Sequence, residues 1–157
     1  MQINFTKKEY RILLDLIHIA DWVLHAHSTD DRADTKDYRN LMQKLMSYAK
    51  EMGFEALVDF DKERGEYVTS GEFAGESVAE DYIEEFEDNT FWSQLIGRLS
   101  DRDAMRQTGV NHLSEIEMSE RFKAIGEAEE KWITEIDNYG LSRIRIDDDE
   151  TKPNVVH

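Results

Sequence analysis

The sequence predicts a mainly α-helical, single-domain bundle of about five helices, and three observations predict it. Apolar residues recur at intervals of three and four in segment after segment, the repeat of one helix face. Most of these segments are bounded by residues that cap helices. One proline and eight glycines in 157 residues favour long helices over many short strands joined by turns. A chain of this length fits one domain, assigned to residues 1–146, with a disordered acidic tail at 147–157.

The first helix opens at a capping box, Thr6 with Glu9, framed by Phe5 and Tyr10. It runs to about Ala26. Ile12, Leu13, Leu16, Ile17, Ile19, Ala20, Val23 and Leu24 wrap more than half its circumference, which is expected of a central helix. After the polar loop "STDDRADT", Asp34 or Thr35 caps a second helix. Its Tyr38, Leu41, Met42, Leu45, Met46, Ala49 and Met52 point inward until Gly53 ends it, and Phe54 is placed for the contact that follows a glycine cap. "FEALVDFD" fits a short helix better than a strand, and "KERGEYVTSGEFAGES" has no sustained period and is expected to be a loop.

Ser77 caps a third helix with an apolar stripe of Val78, Ala79, Tyr82, Ile83 and Phe86. Asn89 or Thr90 starts a fourth, with Phe91, Trp92, Leu95, Ile96 and Leu99 inward, and Gly109 stops it. Ser119 opens the last, which buries Phe122, Ile125, Ala128, Trp132, Ile133 and Ile136 and closes at Gly140. "LSRIRID" alternates and suggests a short C-terminal strand or extended arm.

Charge narrows the function classes. The formal net charge is −16, and it is regional. Residues 1–54 balance eight acids against eight bases, whereas residues 55–88 hold thirteen acids against Lys62 and Arg64. Such a field repels phosphate, so direct binding to nucleic acid is not expected. A basic protein surface is the natural partner, and homo-oligomers are compatible with the composition. With no cysteine there is no disulfide, zinc–thiolate site or cysteine nucleophile. The start "MQINFTKKEY" is unlike a secretory signal and no apolar run is long enough for a membrane span, so a cytoplasmic location is expected.

Three constellations are candidates for chemistry. In "HIADWVLHAH" the first helix sets His18, Asp21 and His25 on one side, as a divalent-metal site would require. His18 and His25 stand about 10 Å apart along the axis, so only Asp21 with His25 forms a usable pair. A polar stripe with locally paired side chains needs fewer assumptions, and no cofactor is expected. The third helix presents Glu80, Asp81, Glu84, Glu85, Glu87 and Asp88, a surface for a basic partner or simply a solvated face. Arg98, Arg102 and Arg106 form a stripe suited to an anion or to internal ion pairs.

No phosphate-binding glycine loop, nucleophile elbow or dinucleotide fingerprint is present. The expected function is therefore protein–protein interaction or regulation through the acidic helix, with no catalytic residue assigned. A metal-binding protein or metal-dependent hydrolase built on the Asp21/His25 stripe is the enzymatic alternative. A nucleic-acid-mimicking inhibitor is a third class.

Overall fold

The computed structural model describes residues 3–27 and 33–145, and 71% of them are helical. In chain order the elements are α1 (Lys7–His25), α2 (Lys36–Met46), the single turn α3 (Ala49–Met52), β1 (Val58–Asp61), β2 (Glu66–Thr69), α4 (Gly71–Glu76), α5 (Ala79–Thr108) and α6 (Met118–Tyr139). Contacts divide the chain into two compact units, residues 1–88 and 89–157, and the boundary falls inside α5. None of the described helices is long and apolar enough to cross a membrane.

In the first unit, α1 starts at the expected capping box. Glu9 N–H donates to Thr6 Oγ1 at 3.3 Å, and Thr6 N–H donates to the Glu9 carboxylate at 2.8 Å. The bonds from the Thr6 backbone and hydroxyl hold the Glu9 carboxyl below its usual range. Tyr10, Leu14 and Ile17 then turn one face of α1 into a core shared with Met42 and Met46 of α2, Ala49, Leu57 and Phe73 of α4. The buried Tyr10 hydroxyl donates to the Leu45 carbonyl at 2.7 Å, and burial pushes its pKa up to about 12. Gly53 closes α3 at φ +81°, letting Phe54 N–H reach the Ala49 carbonyl at 2.7 Å and its ring stack on Tyr10.

β1 and β2 pair antiparallel, with Phe60 opposite Tyr67 and Asp61 opposite Glu66. The Asp61 carboxylate accepts from Glu63 and Arg64 N–H and so nucleates the turn, which Gly65 completes at φ +71°. This hairpin corrects two expectations. The helical reading of "FEALVDFD" loses to a strand because the facing segment satisfies its backbone, and the expected loop supplies that partner strand and then α4. The sheet thus lies in the middle of the chain. The expected C-terminal strand is absent among the described residues: Leu141–Arg143 form a turn, and the expected tail at 147–157 lies outside those residues.

The third and fourth expected helices are one. Asn89 and Thr90 lie inside the thirty-residue α5. Their capping preference amounts to a few tenths of a kcal/mol over other helical residues, too little to interrupt a helix that also runs through Gly97 without a break. Ser77 does tie down the helix start, since its hydroxyl accepts from Ala79 N–H at 3.0 Å and donates to Asp15 at 2.5 Å. Glu80 and Asp81 therefore occupy the first turn of α5, where the helix dipole favours acids, and Glu87 and Asp88 do not sit at a C-terminus.

The second unit buries mostly small residues: Ser100 and Ala104 of α5, and Ala124, Ala128 and Ile136 of α6. Polar contacts join the two helices in antiparallel sense, with Trp132 Nε1–H donating to Asp103 at 2.9 Å and Gln107 donating to Glu127 at 3.2 Å. Phe122 and Ile133, expected inside, are exposed.

Candidate functional site

A cleft of about 820 Å³ opens in the first unit between α1, α2 and the outer edge of β2. That size suits a small ligand or a short peptide. Helix α1 contributes His18, Asp21 and His25, α2 contributes Arg39 and Gln43, and all four residues of β2 line the opposite wall. Gln43 holds the wall in place. Its amide donates to the Tyr67 carbonyl at 2.8 Å and accepts from Tyr67 N–H at 2.6 Å, so one side chain satisfies the strand edge as a neighbouring strand would. Arg39 stands 3.8 Å from Glu66 across the cleft.

The two histidines face different partners. His25 Nδ1 lies 2.8 Å from Asp21 Oδ1 and Nε2 lies 2.9 Å from the Thr35 hydroxyl. A carboxylate only accepts, so Nδ1 carries the proton; in the neutral ring Nε2 accepts from Thr35. The order carboxylate–imidazole–hydroxyl is that of a nucleophilic triad. Thr35, however, is only 4% exposed and is not part of the cleft wall, so its oxygen meets no substrate there. The chain of bonds fastens the end of α1 to the start of α2. His18 instead lies against the Phe73 ring, centroids 5.2 Å apart, with Nε2 donating to Glu80 at 2.7 Å. Among the described residues no three histidines or carboxylates gather where they could hold a metal ion, and Asp21 with His25 remains a pair.

The acidic residues divide by what they touch. Glu80 accepts from His18, and Glu87 accepts from Trp22 Nε1–H at 2.9 Å, so these two fasten α5 along α1. Asp81, Glu84 and Glu85 are exposed and make no side-chain hydrogen bond or ion pair among the described residues. Asp88 is exposed but engaged. Beside this row the apolar stripe is split. Ala79 and Ile83 are buried, whereas Val78, Tyr82 and Phe86 are exposed, the last two at 60% and 62%. At about 100° per residue, Val78, Tyr82 and Phe86 form one ridge with Asp81 and Glu85 along its flank. Sequence reasoning placed all five apolar residues inside.

The arginines lie in the second unit. Arg102 pairs with Asp103 at 2.8 Å and lies over the Trp132 ring, and Arg106 stands 3.9 Å from the same carboxylate. Arg98 is exposed. Burial raises the Asp103 pKa, but hydrogen bonds from Arg102 and Trp132, with the charges of Arg102 and Lys131, outweigh it and hold the carboxyl below its usual range.

Family models, curated proteins and solved structures were each compared with this chain, and none matches it.

Proposed function

We propose that this protein is an interaction module whose acidic α5 face takes a basic, amphipathic segment of a partner protein. One observation carries the reading: the exposed ridge of Val78, Tyr82 and Phe86 runs beside Asp81 and Glu85. A solubilising face needs only the carboxylates. Exposed aromatic side chains in line with them supply the apolar contact that exposed charge alone lacks, since exposed ion pairs contribute about 0–1 kcal/mol each. Aromatic anchors rimmed by charge are the usual anatomy of a docking surface. The partner would lay its own apolar side on the ridge and its lysines or arginines on the carboxylates.

The test uses a synthetic Lys/Leu amphipathic helical peptide and isothermal titration. Binding should weaken as salt rises, because exposed charges are screened beyond ~8–10 Å. It should fall in the double variant Asp81→Asn/Glu85→Gln and also in Tyr82→Ala/Phe86→Ala. Binding that ignores both sets of changes overturns the proposal.

A further inference from the structure

One wall of the cleft in the first unit is a strand edge, and an edge turns the N–H and C=O of alternate residues outward. In β2 the outward residues are Tyr67, which exchanges both bonds with the Gln43 amide, and Thr69, two positions on. Ser70 keeps the alternation, since its N–H donates inward to the Leu57 carbonyl at 3.0 Å. Thr69 lines the cleft, and its N–H and C=O have no partner outside the hairpin among the described residues. Gln43 shows what this edge accepts, because a carboxamide that donates and accepts at once has the chemistry of a peptide group. The buried part of the lining is apolar: Ile17, Met42 and Met46. The turn end of the cleft is charged. Arg39 stands 3.8 Å from Glu66, the first residue of β2, and Arg64 lies just before it. Lys62 and Arg64 are the only bases in residues 55–88, and Arg64 lines the cleft. Its ion pair with Asp61, at 3.8 Å, is longer than a hydrogen bond, and its side chain is 75% exposed.

We infer that the cleft takes the extended C-terminal end of a peptide, added antiparallel to β2 with its terminal carboxylate at Arg64. Strand direction and charge together fix the orientation. β2 runs away from the turn, so an antiparallel chain runs toward it and delivers its carboxylate to the two arginines. A parallel chain would bring its N-terminus there instead. Glu66–Thr69 spans about 10 Å, so four extended residues reach from Thr69 to the turn. In that register the first residue exchanges hydrogen bonds with Thr69 and the third with Tyr67, where the ligand backbone takes over from Gln43. Main-chain bonds supply the affinity, and apolar side chains against Ile17, Met42 and Met46 supply the preference. The carboxylates of the lining are already engaged, Asp21 by His25 at 2.8 Å and Glu66 by Arg39, which offsets their charge near an incoming carboxylate.

Isothermal titration of the full chain tests this, with the peptide acetyl-Ala-Leu-Ala-Leu, which has a free carboxylate and no base for the α5 face. Saturable binding is expected. The C-terminal amide of the same peptide should bind about tenfold more weakly, the loss of one hydrogen bond between charged groups. A peptide methylated at the nitrogens of its first and third residues should lose a similar factor. Arg64→Gln, at an exposed turn position, should weaken the free acid about tenfold and leave the amide unchanged, whereas damage to the fold would weaken both. No binding at millimolar peptide overturns the inference. So does binding indifferent to amidation or to N-methylation, or an Arg64→Gln variant that still prefers the acid over the amide as the wild type does.

Discussion

Asp103 shows how one carboxylate organises a small unit. Arg102, Arg106, Lys131 and Trp132 all converge on it from two helices. Its folded pKa lies below the ordinary value, so its contribution to stability is present above the unfolded pKa and is lost as pH falls through the folded one. Acid titration followed by circular dichroism should therefore show wild-type stability falling below the ordinary carboxylate range. Asp103→Asn should flatten that part of the profile. Tyr10 has the opposite sign. Its pKa is raised to about 12, so its contribution holds below the unfolded value near 10 and is lost as pH climbs through about 12. Ultraviolet titration should find a tyrosine that ionises only near about 12, and Tyr10→Phe should remove it. The same substitution removes one of the donors to the Leu45 carbonyl, which keeps Tyr48 N–H at 3.2 Å, for a loss of about 1 kcal/mol in denaturant unfolding. Phe73, 1% exposed beneath Arg11 and His18, is the costlier position: Phe73→Ala should destabilise by about 3–5 kcal/mol.

At the scale of elements, the hairpin depends on one backbone conformation. Gly65→Ala should destabilise by about 1 kcal/mol, measured by thermal melting, although a methyl group there would meet nothing within 4 Å. Strain at positive φ is the cause. What was legible in the sequence follows the strength of local signals. Thr6 with Glu9 and Gly53 with Phe54 are complete local instructions, and the structure uses both. Asn89–Thr90 is a weak one, overruled by the continuous repeat of α5. The hairpin escaped because Val58–Asp61 is short and its partner strand carries no run of apolar residues. The Asp61–Gly65 turn was its readable mark. The polar residues of α1 were visible as a stripe, but their partners Thr35 and Glu80 arrive from other elements, and spacing within one helix cannot announce them.

For the molecule as a whole, charge and apolar surface are partitioned together. The neutral N-terminal third carries an open aliphatic stripe on α1, and the acidic segment that follows carries an aromatic ridge beside carboxylates. Helix periodicity revealed both stripes and gave no sign that each has a face left uncovered, because a wide apolar band looks the same in a buried helix and in one awaiting a partner. The association proposed at α5 is expected to weaken as ionic strength rises, and that face is the central claim. The most direct measurement is a nuclear magnetic resonance titration of the isotope-labelled protein with the Lys/Leu amphipathic peptide. Shifts are predicted at residues 78–88, led by Tyr82, Glu85 and Phe86, and should be suppressed by salt. Shifts centred instead on the cleft at Arg39 and Glu66, or no shifts at low salt, would contradict the claim.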